Sequence, residues 1–186
     1  MPSAEIPTRI NRRSGIFKLP RQCLEVLAEF RNPVALINKN HLITRDIDLL
    51  SELASFRAAA AVAVSITTLD NSLARKMEPR ASLPKRRLAA ISELAKADIP
   101  VGVILIAPII QRANDHEIPA ILTAAVDAGA SFPGYIILRL PYGLKDIFSD
   151  WLERHFPDRR KKCSTACATC DSKLDSPAIS PTHARR

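Results

Sequence analysis

Between Asn32 and Phe156 one pattern recurs four times: a short, uninterrupted apolar run rich in Val and Ile, then a longer stretch whose apolar residues stand three or four apart. The runs are Val34 to Ile37, Ala60 to Ile66, Val101 to Ile106 and Tyr135 to Leu138. A strand that is apolar at every position has no side to offer water, so it is buried on both faces, as in a parallel sheet covered by helices.

The stretches between the runs carry helix signals. Thr44 stands where it can cap a helix whose apolar stripe is Ile47, Leu50, Leu53 and Ala54. Ser82 precedes Pro84 at a first-turn position, and Leu88, Ile91, Leu94 and Ala95 follow. Asn114 with Glu117 three residues on has the form of a capping box, and Ile118, Ile121, Leu122 and Ala125 lead to Gly129 as the stop. A last helix over about Leu144 to His155 buries Ile147, Phe148, Trp151 and Leu152. An earlier one, starting at Pro20, buries Leu24, Leu27 and Ala28, with Cys23 expected in the core beside them.

One helix followed by four βα units predicts an α/β fold, either a (βα) barrel or a doubly wound sheet. A full barrel takes about 250 residues, or about 31 per unit, and the four units here proceed at that rate. The expected architecture is therefore an incomplete (βα) barrel that begins on a helix whose own strand is absent. Its first strand, Val34 to Ile37, is then left as an unpaired edge.

Charge adds a division of the chain. The 186 residues are 47% hydrophobic with a formal net charge of +8, a globular composition in which a basic surplus invites a nucleic-acid reading. Residues 1 to 21 and 158 to 186 hold twelve of the 27 Lys and Arg but four of the 19 Asp and Glu, leaving fifteen of each between them. The body is neutral and the surplus belongs to the ends. The boundaries expected are a basic segment over 1–19, the partial barrel over 20–157 and a basic, disordered tail over 158–186. No apolar run reaches the roughly 18 residues of a membrane span and no signal peptide opens the chain, so a cytoplasmic location is expected. With only 5 Gly, no phosphate-cradling loop is available.

Several segments together resemble the radical S-adenosylmethionine (SAM) superfamily, in the DNA-repair-photolyase-like branch that includes spore photoproduct lyase. They are Arg21 to Leu27, Asn38 to Asn40, Val64 to Asp70, Met77 to Arg80, Ala107 to Ile109 with Asn114 and Asp115, and Leu138 to Pro141, in an order that covers roughly Ile10 to Phe156. The resemblance implies a partial (βα)6 TIM-like barrel, of which this chain holds the third to sixth units preceded by the second helix. It also implies two cofactors, SAM and a 4Fe-4S cluster whose three thiolate ligands stand in a CxxxCxxC loop after the first strand. That loop is not among the matching segments.

The implied cofactor-binding residues lie at the C-terminal strand ends, where such barrels build their sites. Ser65 and Thr67 are placed beside the SAM ribose; Lys39 and Asn40 end the first visible strand, Asn114 and Asp115 follow the third, and Arg139 ends the fourth. Glu78 and Arg80 belong to the matching loop with no role assigned. Bland readings stand beside these: a helix cap for Asn114, turn hydroxyls for Thr67 and Thr68, a surface ion pair for Arg139. Asp98 departs from the pattern at a position where relatives usually carry Gly, and Gln111-Arg112-Ala113 replaces a more apolar link.

Cys163, Cys167 and Cys170 have CxxxCxxC spacing after the last helix. They are weak metal candidates there: three thiolates can hold a cluster, and zinc would need a fourth ligand such as His155 or His183. A disulfide does not suit a reducing cytoplasm, and free thiols in an unstructured tail are the leading reading. The overall expectation is a truncated radical SAM protein, inactive alone, its tail read out of an interrupted frame. Rival readings are a competent iron-sulfur protein using the displaced triplet, and a cluster-free module that pairs with a separate N-terminal half or with nucleic acid through its basic ends.

Overall fold

A computed structural model describes residues 4–7, 19–56, 60–106, 115–136, 140 and 143–159. The four apolar runs form strands, and a further strand precedes them. In chain order these are β1 (Ala4–Pro7), β2 (Val34–Asn38), β3 (Ala60–Ser65), β4 (Val101–Ile106) and β5 (Phe132–Ile136). All four pairings are parallel and the spatial order is β1-β2-β3-β4-β5, with no crossover that skips a neighbour.

β1 corrects the expected start on a helix. It pairs with β2 from Ala4↔Val34 to Pro7↔Ile37, so β2 is an inner strand and there are five βα units rather than four. The signal was weak because Ala-Glu-Ile-Pro is neither an apolar run nor rich in strand formers. An edge tolerates this, since Pro withholds a ladder donor only where no neighbour needs it. β5 runs earlier than the expected Tyr135 to Leu138, whose last two residues lie outside the described ones.

Among the described residues six α-helices follow the strands: α1 (Leu19–Glu29), α2 (Ile47–Ser55), α3 (Asn71–Met77), α4 (Pro84–Lys96), α5 (Ile118–Asp127) and α6 (Leu144–His155). Alternation along the strands decides where they pack. Val34, Leu36, Ala60, Val62, Val64, Val101 and Val103 share one face and form a single core with Leu24, Leu50, Leu53, Ile91, Leu94, Ile121 and Ala125. Thus α1, α2, α4 and α5 all cover the same side of the sheet. The opposite face mixes small residues, Ala35, Ala61, Ala63 and Gly102, with Ile37, Ile104 and Phe132; Gly102 leaves room for the ring of Phe132, its partner on β5, which a Cβ there would strike.

Caps differ from expectation in instructive ways. Thr44 does not cap α2; a 3-10 turn from His41 to Asp46 comes first, Asn40 caps that turn by accepting from the Leu42 N–H at 3.1 Å, and Thr44 Oγ1 donates to the His41 carbonyl. Ser82 is not the cap of α4, where Leu83 holds the position without a side-chain bond. Glu117 Oε2 is taken by the loop after β3, and Asn114, its expected capping-box partner, lies outside the described residues. Gly129 ends α5 as expected, at φ +100°. On α6 Leu152 is buried, but Ile147 is 66% exposed, and Cys23 on α1 is exposed rather than core.

Candidate functional site

The C-terminal ends of β2 and β3 carry Asn38 and Ser65, and the loops that leave them bring three charges together. Lys39, just past β2, forms an ion pair with Glu78 Oε1. Glu78 Oε2 accepts from Arg87 Nη2 at 2.5 Å. Arg87 stands on the first turn of α4 and is 2% exposed. Its Nη1 donates to the Ser65 carbonyl at 2.8 Å and its Nε to the Ser82 carbonyl at 2.7 Å. One guanidinium therefore joins the end of β3 to the loop before α4 and to the carboxylate that holds Lys39. Burial pushes the Glu78 carboxyl up, but Lys39 and Arg87 outweigh it and hold the group below its ordinary value.

Neutral contacts complete the frame. Asn38 Oδ1 accepts from the Asn40 N–H at 2.6 Å, and Ser82 Oγ donates to Asn40 Oδ1 at 3.0 Å while accepting from the His41 N–H. The Ser82 N–H donates to the Lys39 carbonyl. On the other side of Ser65, Thr68 Oγ1 and the Leu69 N–H both donate to Glu117 Oε2, at 2.7 and 2.9 Å, tying the β3 loop to the turn that precedes α5.

Two polar atoms are left over. Ser65 Oγ and Asn38 Nδ2 are buried with no hydrogen-bond partner among the described residues, in residues 0% and 3% exposed. Such orphans are uncommon, because a buried polar group without a partner costs about 1–3 kcal/mol.

Of the residues marked in the sequence, Lys39, Asn40, Ser65 and Thr67 gather at these strand ends, with Thr67 1% exposed. Glu78 joins them as the bridge between two cations, and Arg80 is exposed. Asp115 opens the 3-10 turn whose Glu117 reaches Thr68. Asn114, Arg139, Cys163, Cys167 and Cys170 lie outside the described residues, as does the Gln111 to Ala113 link. Sequence reasoning assigned no site role to Asn38, which it saw only within a matching segment, or to Glu117, which it read as half of a capping box, and it passed over Arg87. Arg87 had a readable signal: it lies four and seven residues before Ile91 and Leu94, on the buried face of α4.

The donor set bears on the two implied cofactors differently. A free buried hydroxyl at a strand end suits the ribose of SAM. A 4Fe-4S cluster requires thiolates, whereas Cys23, on the surface of α1, is the one cysteine among the described residues, and no three His, Cys, Asp or Glu side chains gather there. The described residues do not fit the cluster.

Fold and site together define a parallel α/β protein with a polar, charge-bridged site at the C-terminal ends of its strands. No family model matches the chain. Uncharacterized proteins of Mycobacterium tuberculosis and Mycobacterium bovis are 28% identical to it over 149 residues, 79% of this chain and 43% of theirs. An uncharacterized protein of Acidianus two-tailed virus is 43% identical over 68 residues, 37% of this chain and 21% of its own length. The chain thus spans less than half the length of the curated relatives it matches. No helix among the described residues is long and apolar enough to cross a membrane.

Proposed function

We propose that the chain is the C-terminal part of a radical SAM-type partial barrel, that it retains a SAM-facing rim, and that it is inactive in SAM cleavage alone. The strand order favours a barrel over a doubly wound sheet, since neighbours follow chain order without reversal and the core helices lie on one face. The observation that carries the reading is Ser65 Oγ, buried and unpartnered at the end of β3, where the resemblance puts the ribose of SAM.

With its cluster, bound SAM supplies a deoxyadenosyl radical; the rest is what these residues do. The Ser65 hydroxyl accepts from or donates to a ribose hydroxyl. Arg87 fixes that serine by holding its carbonyl. Lys39 is already engaged by Glu78, so it shapes the wall rather than offering a free cation.

Calorimetric titration of the full chain with SAM tests the reading. Binding is expected, weakened about threefold to tenfold in Ser65→Ala; absence of binding at millimolar SAM overturns it. Anaerobic incubation with iron, sulfide and reductant is expected to yield no deoxyadenosine. A 4Fe-4S spectrum that disappears in Cys167→Ala would instead establish the displaced triplet as a working ligand set.

A further inference from the structure

Positive charge is concentrated in one stretch of the neutral body. Between Asn71 and Arg87 stand Arg75, Lys76, Arg80, Lys85, Arg86 and Arg87, against the single acid Glu78. Arg87 and Glu78 are turned inward and bonded to each other. The other five cations are exposed, and none of them has an ion-pair partner among the described residues.

Two of the five break a local rule. Lys85 and Arg86 stand in the first turn of α4, which holds no acidic residue, and the positive end of a helix dipole repels a cation. Arg87 beside them is explained by its three inward hydrogen bonds. Lys85 and Arg86 make no bond among the described residues that offsets the repulsion. Cations placed against the dipole with no structural return point to a surface kept for a ligand, and their sign selects a polyanion.

An aromatic group beside these cations narrows the class of polyanion. Lys76 Nζ lies 5.6 Å from the centre of the Phe156 ring, and Met77 packs in the same cluster as Phe148, Trp151 and Phe156. Trp151 stands 5.2 Å from the His155 ring and 5.6 Å from Phe156. Trp151, His155 and Phe156 each keep part of their surface open to solvent. The acids of α6 are elsewhere: at about 100° per residue, Asp146, Asp150 and Glu153 fall on one side of the helix and Phe148, Trp151 and His155 on the other. A strand whose bases are free to stack uses both the cations and the rings, whereas a duplex keeps its bases stacked inside. An acidic peptide brings carboxylates to the cations but no bases to the rings.

We propose that the exposed face of the α3–α4 segment, together with the aromatic cluster on α6, binds single-stranded nucleic acid. Its phosphates lie on Arg75, Lys76, Arg80, Lys85 and Arg86, and a base lies against Trp151 and Phe156. Lys76, Met77 and Glu78 are consecutive and touch, in turn, the Phe156 ring, the α6 cluster and Lys39 of the strand-end site. A bound strand therefore passes along the rim of that site. None of these contacts involves SAM, so the proposal stands whether or not SAM binds.

Titration of the full chain with a thymidylate or a uridylate oligomer of about 20 nucleotides tests this. Trp151 is the one tryptophan of the chain, so quenching of its emission reports a base at the cluster, which a strand held by the basic ends alone does not produce. Both oligomers are expected to quench it, and the tighter of the two identifies DNA or RNA as the natural strand. Arg86→Glu lowers affinity at least fivefold, while Lys96→Glu, the same charge change at an exposed position at the far end of α4, leaves it within about twofold. Replacing Arg80, Lys85 and Arg86 by Gln together lowers the slope of log affinity against log salt by about 2. Circular dichroism establishes that each variant is folded. No binding at about 50 mM salt, binding with Trp151 emission unchanged, or equal losses in Arg86→Glu and Lys96→Glu overturns the proposal. So does a duplex of the same length bound as tightly as the single strand. Displacement of the strand by polyglutamate at equal charge concentration also overturns it and assigns the face to an acidic protein.

Discussion

Replacing Arg87 by Met removes a guanidinium from three acceptors at once. The carbonyls of Ser65 and Ser82 lose their donors, and Glu78 keeps Lys39 as its remaining cation. Breaking a buried pair from one side costs about 3–5 kcal/mol, and a urea titration of Arg87→Met is expected to show a loss of that order. Ser65→Ala acts in the opposite direction. Its hydroxyl has no partner to lose, so the variant should be as stable as wild type or slightly more so while binding SAM less well. The same cluster sets a pH dependence. Glu78 titrates below its ordinary value of 4.5 in the folded protein, so the unfolded chain takes up its proton first as pH falls. The stability that the carboxylate contributes is complete above about 4.5 and is lost as pH drops through the folded value. Urea midpoints measured from pH 6 to pH 3 should fall less in Glu78→Gln than in wild type. Asp48, held at about 2 by Arg21, titrates in the same direction but is exposed, so Asp48→Asn is expected to flatten the profile far less.

At the scale of elements, three helices end in the same motif with different residues at its strained position. After α1, α4 and α5, the residues Arg31, Asp98 and Gly129 have φ of 50°, 57° and 100°. In each case the next N–H reaches back five residues, from Asn32 to Leu27, Ile99 to Leu94 and Ala130 to Ala125. This is a Schellman ending, which favours Gly because the left-handed conformation costs other residues about 1 kcal/mol. Asp98→Gly should therefore raise stability by about 0.5–1 kcal/mol. Arg31→Gly should gain less, since Arg31 also lies 4.8 Å from the centre of the Phe56 ring; thermal melts of the two variants provide the comparison. Gly at position 98 was expected only from the resemblance, whereas the stripes of α2, α4 and α5 were legible in the sequence itself, because periodicity acts over a few residues. The starts at Pro84 and Leu144 were legible too, but the side-chain caps were not. Asn40, Ser82 and Glu117 each bond to a partner distant in the chain or in another loop, and no local pattern reveals which of two available acceptors a side chain takes. α3 was missed for a related reason: seven residues with one buried position, Ala74, carry too little period to read.

For the whole molecule, the sequence pattern revealed a parallel α/β body but not its front edge. β2 to β4 announce themselves because both their faces are buried, whereas β1 needs only one neighbour and carries no apolar run. The same logic of burial separates the other end. The main core links β2, β3 and β4 to α1, α2, α4 and α5, while Leu152 of α6 belongs to a second, smaller cluster with Met77, Phe148, Trp151 and Phe156. Trp151 stacks on Phe148 at 5.9 Å and lies 5.6 Å from Phe156, so the single tryptophan of the chain reports on this satellite alone. With one fully buried side chain to hold it, the satellite should open before the main core does, as weakly packed units generally do. In a urea titration the Trp151 fluorescence is expected to change at a lower midpoint than the far-ultraviolet circular dichroism. Leu152→Ala should move the first transition down further while leaving the second in place. Coincident midpoints in wild type, or a Leu152→Ala shift shared equally by both signals, would show that α6 unfolds with the sheet as one cooperative unit.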